Sequence, residues 1–334
     1  MRLPLAAAVL LASALPAVAD DYPHVVLKNE KLKLTVYSPD AEKGFYRGTR
    51  FDHAGVFGNV EFAGHKIFGP WKEEHDPANH DDIVGPCEEF GQQKPLGYDE
   101  AKVGGTFLKI GVGELEKPKE ERYSFATKYK LVKPAEWKQT DSVKGIDQPL
   151  VAWTAQQKAN GYGYSYVKAV VVGEPNRKDP AVIGVTHTLK NTGEKRLVTD
   201  FYNHNFFNVD GGAVGPDYSL VFPFEPKAEG MRGKFGALVE SKGKELHFKE
   251  KVPAGEFVMA GLTGFDAKQR SFEMRHAPSR VRVRVDHSYP FAKFNVWGIK
   301  TTICPEPFMA VDLKPGESVS WNIVYHFTHE PRKD

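Results

Sequence analysis

The chain of 334 residues is 41% hydrophobic, enough to bury a core, and carries 45 basic against 43 acidic residues for a formal charge of +2. With no long block of one sign, this balance excludes a charged tail for nucleic acid and gives no mark of a membrane-surface partner. Two cysteines, Cys87 and Cys304, exclude a disulfide framework and leave open either one bridge or two free thiols.

Residues 1–19 place Arg2 before an apolar run from Leu3 to Leu15 and end in Ala17-Val18-Ala19. That pattern predicts a secretory signal peptide cleaved before Asp20, so the mature chain is expected in the periplasm or outside the cell. The run is shorter than the roughly 20 residues that span a bilayer, which argues against an anchor. Lys31–Tyr37 then alternates apolar and polar residues, as a half-buried strand does. From about 68 to 105 the pattern breaks down into a long irregular segment, expected to be a functional loop or an insertion. Within it His75, His80 and the neighbouring Asp76, Asp81 and Asp82 could be a solvated polar loop or a Zn²⁺ or Ca²⁺ site, but their spacing matches no compact ligand motif. No metal is therefore assigned. Glu88 and Glu89, between Gly85-Pro86 and Phe90-Gly91, are predicted to sit in a tight, ordered turn.

Alternation resumes at Phe107–Val112 and again around Val185–Leu189, where His187 falls on the apolar side, either a core histidine or a site residue. The next strand is predicted over 197–208. There His204 shares a face with Val198, Tyr202 and Phe206, while Asn203 and Asn205 point the other way with Phe201 and Phe207. Asparagine is a poor strand residue, and such local violations cluster at functional sites. Arg280–Val285 alternates three arginines with three valines, and Val319–Phe327 carries a continuous apolar face. Turn formers separate these runs, at Asn191–Glu194, Asp210–Gly212 and Lys314–Glu317. The whole predicts an all-β protein, a single large β-sandwich domain over 20–334.

Two blocks carry a resemblance. Asn203-His204-Asn205-Phe206-Phe207-Asn208-Val209 resembles the N-H-x-[YF]-[FW]-N-L motif of galactose mutarotases (aldose 1-epimerases), whose histidine is the catalytic acid. Thr302–Pro307, followed by Leu313-Lys314-Pro315-Gly316-Glu317-Ser318, is similar to the closing strand and turn of the same superfamily, with Glu306 at the catalytic glutamate. Tyr46–Arg50, leading to Ala63-Gly64-His65, is similar to the family's opening hairpin; the H-G-G loop of galactose mutarotases is not found.

The resemblance implies a galactose mutarotase-like β-sandwich acting on a carbohydrate, a monosaccharide or a glycan. It implies His204 and Glu306 as acid and base, with Arg50, His53, Glu88, Glu89, His187 and Asn203 placing sugar hydroxyls. Interconverting anomers needs one group to take the anomeric proton and one to protonate the ring oxygen, so no cofactor is expected. Two rivals stay open on the same scaffold: a lyase acting on uronic acids, and a carbohydrate-binding protein without turnover. Sequence carries no mark of the oligomeric state.

Overall fold

A computed structural model describes residues 22–72, 74–142, 146–173 and 181–331; the predicted leader and its cleavage site lie outside them. Two large antiparallel sheets face each other. One has ten strands, with Val281–His287, Ser318–His329, Val182–Asn191 and Tyr162–Val172 side by side in its middle. The other has six, in the order Lys227–Gly233, Phe257–Thr263, Lys293–Ile299, Thr302–Leu313, Leu197–His204 and Cys87–Phe90. Smaller sheets of four and three strands flank them. Among the described residues the only helical turns are Val209–Gly211 and Phe235–Leu238.

The alternating runs form these strands because one side of each is buried. In Ser318–His329 the side chains of Trp321, Ile323, Tyr325 and Phe327 pack inward, and in Val281–His287 the valines turn in while Arg282 and Arg284 face out. The chain crosses from one sheet to the other twice near Asn191. Its Nδ2 donates to the carbonyls of Lys195 and Leu313, and its backbone bonds Gly316 and Glu317 across the Lys314–Glu317 turn. One buried asparagine thereby ties both crossovers.

Two local expectations are corrected. Phe107–Val112 is not a half-buried strand: the strand is Thr106–Lys109, and Lys109 is buried where alternation would put it in water. Glu88 and Glu89 lie on the edge strand Cys87–Phe90 of the six-stranded sheet, not in a tight turn.

Candidate active site

Strand geometry divides the predicted site residues between two places. Leu197–His204 pairs with Cys87–Phe90 so that Tyr202 stands opposite Glu89, and Asn203 opposite Glu88. Successive side chains on a strand point to opposite faces. Glu89, Tyr202 and His204 therefore share the outer face of the six-stranded sheet, and Glu88 and Asn203 point into the sandwich.

On the outer face His204 lies between two carboxylates. Its Nδ1 is 3.2 Å from Glu306 Oε1, and its Nε2 is 3.6 Å from Glu89 Oε2. Rings hold the imidazole in place: Phe206 stacks at 5.3 Å, Tyr202 lies at 4.2 Å, and the Phe51 edge meets it at 4.9 Å. Only 3% of the His204 side chain and 8% of Glu306 reach the surface, so the pair is almost wholly buried. Asn295 Nδ2 is 3.5 Å from the second Glu306 oxygen.

Glu89 is the electrostatic centre of this face. Arg50 Nε and Lys109 Nζ each donate to it at 2.9 Å, and the Tyr202 hydroxyl donates at 2.5 Å. Burial alone would raise its carboxyl, but Lys109 and Arg50 hold it well below the usual carboxylate range. Arg50 also donates to Asp81 at 2.9 Å, which brings in the irregular segment as the rim of the site. Lys109 makes its second bond to the Tyr123 hydroxyl, at 2.8 Å.

The inward-facing residues form a different structure. Lys168, fully buried, bonds the Ala54 carbonyl at 2.6 Å, contacts Glu88, and lies 3.7 Å from Asp52. Burial would raise the Glu88 carboxyl, yet Lys168 and His187 bring it down to about 2; burial pushes Asp52 up to about 7 against the pull of Lys168. His187 is stacked on Trp321 at 4.8 Å and lies 3.7 Å from Glu88, so it is a core histidine of the sandwich, kept neutral by burial. Asn203 and Asn205 are here because the Tyr325 hydroxyl, from the opposite sheet, donates between their amide oxygens at 3.0 and 2.8 Å. The asparagines that break the strand pattern are thus satisfied inside the fold. Neither Asn203 nor His187 nor Glu88 faces the outer site.

Two more predicted residues, Arg50 and His53, sit in the loop between Leu32–Tyr37 and Val56–Phe62. Arg50 reaches the site; His53 does not, since its Nε2 meets the Gly48 carbonyl at 2.8 Å and its ring packs edge-on to Tyr46. Sequence reasoning did not single out Tyr202, Lys109 or Tyr123 for the site, and it raised Asp81 only within a possible metal loop. Lys109 carried a signal, a lysine inside an apolar run, whereas Asp81 is placed only by tertiary contact.

For a metal, His204 Nδ1, Cys304 Sγ and a Glu306 oxygen fall within 4.8 Å of one another, the one such group among the described residues. Burial and the neighbouring Glu306 push the Cys304 thiol up. His75 and His80 do not converge on one: His75 bonds the Phe45 carbonyl at 2.9 Å and stacks on that ring, and His80 turns to Asp81 at 3.5 Å. Cys87 and Cys304 are both buried free thiols.

Solved structures share this architecture. The Slr1438 protein from Synechocystis matches over 96% of this chain and 100% of its own, with TM-score 0.59 and 12% identity. A galactose mutarotase-like protein from Clostridium acetobutylicum matches over 94% and 98%, with TM-score 0.55 and 12% identity. The chain has the galactose mutarotase-like fold. A GalM/aldose epimerase homologue from C. elegans extends the likeness, at TM-score 0.52 and 12% identity over 92% of this chain and 98% of that one. No protein-family model matches the chain, and no curated protein matches its sequence. At such identities the mutarotase-like likeness is one of fold, and the chemistry rests on the residues above.

Proposed function

We propose that the protein interconverts the anomers of a reducing sugar, with His204 as general acid and Glu306 as general base. The observation that carries this reading is the pair itself, an imidazole and a carboxylate 3.2 Å apart on neighbouring strands, each with a few per cent of its side chain at the surface. In the opening step Glu306 takes the proton of the anomeric hydroxyl, the bond from the anomeric carbon to the ring oxygen breaks, and that oxygen takes the proton of His204. An open-chain aldehyde results. Rotation about the bond to the next carbon and reversal of both transfers close the other anomer, with no net proton gained or lost. Glu89, Tyr202 and Arg50 form a fixed frame that keeps the imidazole pointed at the substrate.

Elimination at a uronic acid, the rival chemistry, needs a cation free to meet the substrate carboxylate. Arg50 is taken by Glu89 and Asp81, and Lys109 by Glu89. The test is the relaxation of freshly dissolved α-glucose and α-galactose, followed by polarimetry. His204→Asn and Glu306→Gln should each lower the enzymatic rate by about 10²–10⁴-fold, the usual worth of an acid or base, with the fold retained. Full activity in both variants would end the proposal.

A further inference from the structure

Beside the His204–Glu306 pair lies a cleft of about 440 Å³ walled by Trp71, Trp297 and Phe257, with Glu256, Lys300 and Thr301 among its polar groups. It is on the same face of the same sheet. Glu306 stands opposite Asn295 on the neighbouring strand, and Trp297 lies two residues beyond Asn295, so it shares that residue's face. At one strand spacing across and two residues along, Trp297 is roughly 8 Å from Glu306 at the backbone. A row of rings joins the two places as well: Phe206, stacked on His204, stacks in turn on Trp71 at 6.2 Å, and Trp71 meets Trp297 edge to face at 5.5 Å.

Three half-buried aromatic residues with hydroxyl-binding groups at their margin suit one kind of occupant. A pyranose has an apolar face of C–H groups, which packs on aromatic rings, and an equator of hydroxyls, which needs donors and acceptors. Lys300 offers a donor, and Glu256 and the Thr301 hydroxyl oxygen, whose own proton goes to the Trp71 carbonyl at 2.8 Å, offer acceptors. Nothing else in the proposed chemistry uses this cleft, because the anomeric centre is handled entirely at His204 and Glu306.

We propose that the cleft is a subsite for the second and third sugar units of a reducing oligosaccharide whose terminal ring is opened at His204 and Glu306. This rests on the anomer-interconverting reading and adds its substrate class: reducing glycan chains in preference to free monosaccharides. The separation of roughly 8 Å between Trp297 and Glu306 at the backbone places the neighbouring unit over the tryptophans while the terminal one meets the pair.

The test follows the anomeric protons of glucose, galactose and their reducing di- and trisaccharides by NMR, with the wild-type protein and Trp297→Ala. Wild type should turn over at least one trisaccharide with kcat/KM roughly tenfold above its monosaccharide, and Trp297→Ala should bring that ratio close to one. Trp297→Phe, which keeps a ring, should restore most of it. If Trp297→Ala does not fold, Lys300→Ala at the exposed rim serves as the second variant, lowering the same ratio. Equal kcat/KM for mono- and trisaccharides in the wild type would overturn the subsite while leaving the reaction standing. If no sugar is turned over, the reaction falls and the subsite is judged by calorimetric titration with the same trisaccharides. Binding weakened by Trp297→Ala would then uphold the subsite, and no binding would remove it.

Discussion

Replacing Lys168 by methionine isolates the interior cluster from the site. Lys168 is fully buried and faces two carboxylates, Glu88 in direct contact and Asp52 at 3.7 Å, so its loss leaves two acids in a dry interior without their cation. Breaking a buried pair from one side costs about 3–5 kcal/mol. With an unfolding entropy of roughly 2.1 cal/mol/K per residue over 334 residues, that is a fall in Tm of about 4–7 °C. The loss should depend on pH in a definite direction. Without Lys168 both carboxyls are held above their unfolded values, so the folded state binds more protons than the unfolded one. Stability then falls as pH rises through those folded values, by about 1.4 kcal/mol per pH unit for each proton involved. Urea unfolding at pH 5 and pH 8 measures this: the deficit of Lys168→Met against wild type should be smaller at pH 5. A deficit that is equal at both values, or absent at pH 8, would refute the assignment of Lys168 as the counter-charge of Glu88 and Asp52.

The wild-type protein should lose stability on acidification in two stages. His187 and His287, the latter lowered to about 4 by burial, resist protonation in the folded state and withdraw stability as pH falls below 6.5; Glu88 and Glu89, held low by their cations, add to the loss below 4.5. Asp52, pushed up to about 7, works the opposite way between 7 and 3.8 and flattens the first stage. Denaturant midpoints at pH 8, 6 and 4 that rise steadily toward acid would contradict this. Incubation with EDTA should leave sugar turnover unchanged, since the proposed reaction assigns both proton transfers to His204 and Glu306; activity lost to chelation and restored by Zn²⁺ would reverse that view. Thiol titration of the denatured protein without reductant should find two reactive groups, Cys87 and Cys304, and Tm should not move on adding dithiothreitol.

What sequence shows of this molecule follows from periodicity. Val319–Phe327 and the valines after Arg280 can be read as strands because their inner and outer residues differ in kind. His204 and Glu306 are reached through the two short blocks that resemble mutarotases, and the strands that carry them pair directly. The fate of Glu88 and Glu89 is not legible, because two identical neighbours give no clue to which faces the core. The decisive information lies far away, in Lys168 and Lys109, which each bring a cation to one face. Lys168 does leave a trace: it occupies the inward position of Tyr162–Val172, in line with Tyr164, Tyr166, Val170 and Val172. A charge on the apolar side of an alternating strand asks for a partner, though not which one. Likewise Asn203 reads as a site residue until Tyr325, 122 positions further along, supplies its bond.

The four-residue strand Cys87–Phe90 lies at the sheet's edge, paired with another strand on one side only, where slippage is easiest. A shift of one residue would exchange its two glutamates, setting Glu88 among the outer-face groups and Glu89 in the dry interior. Each would still meet a lysine, but the backbone bonds from Asp52 to Glu88 and from Gly91 to Asp200 would no longer match. Those two flanking bonds act as a lock on alignment. A molecule that closes with this edge misaligned fails in stability and in chemistry together, so checking one strand's position checks both.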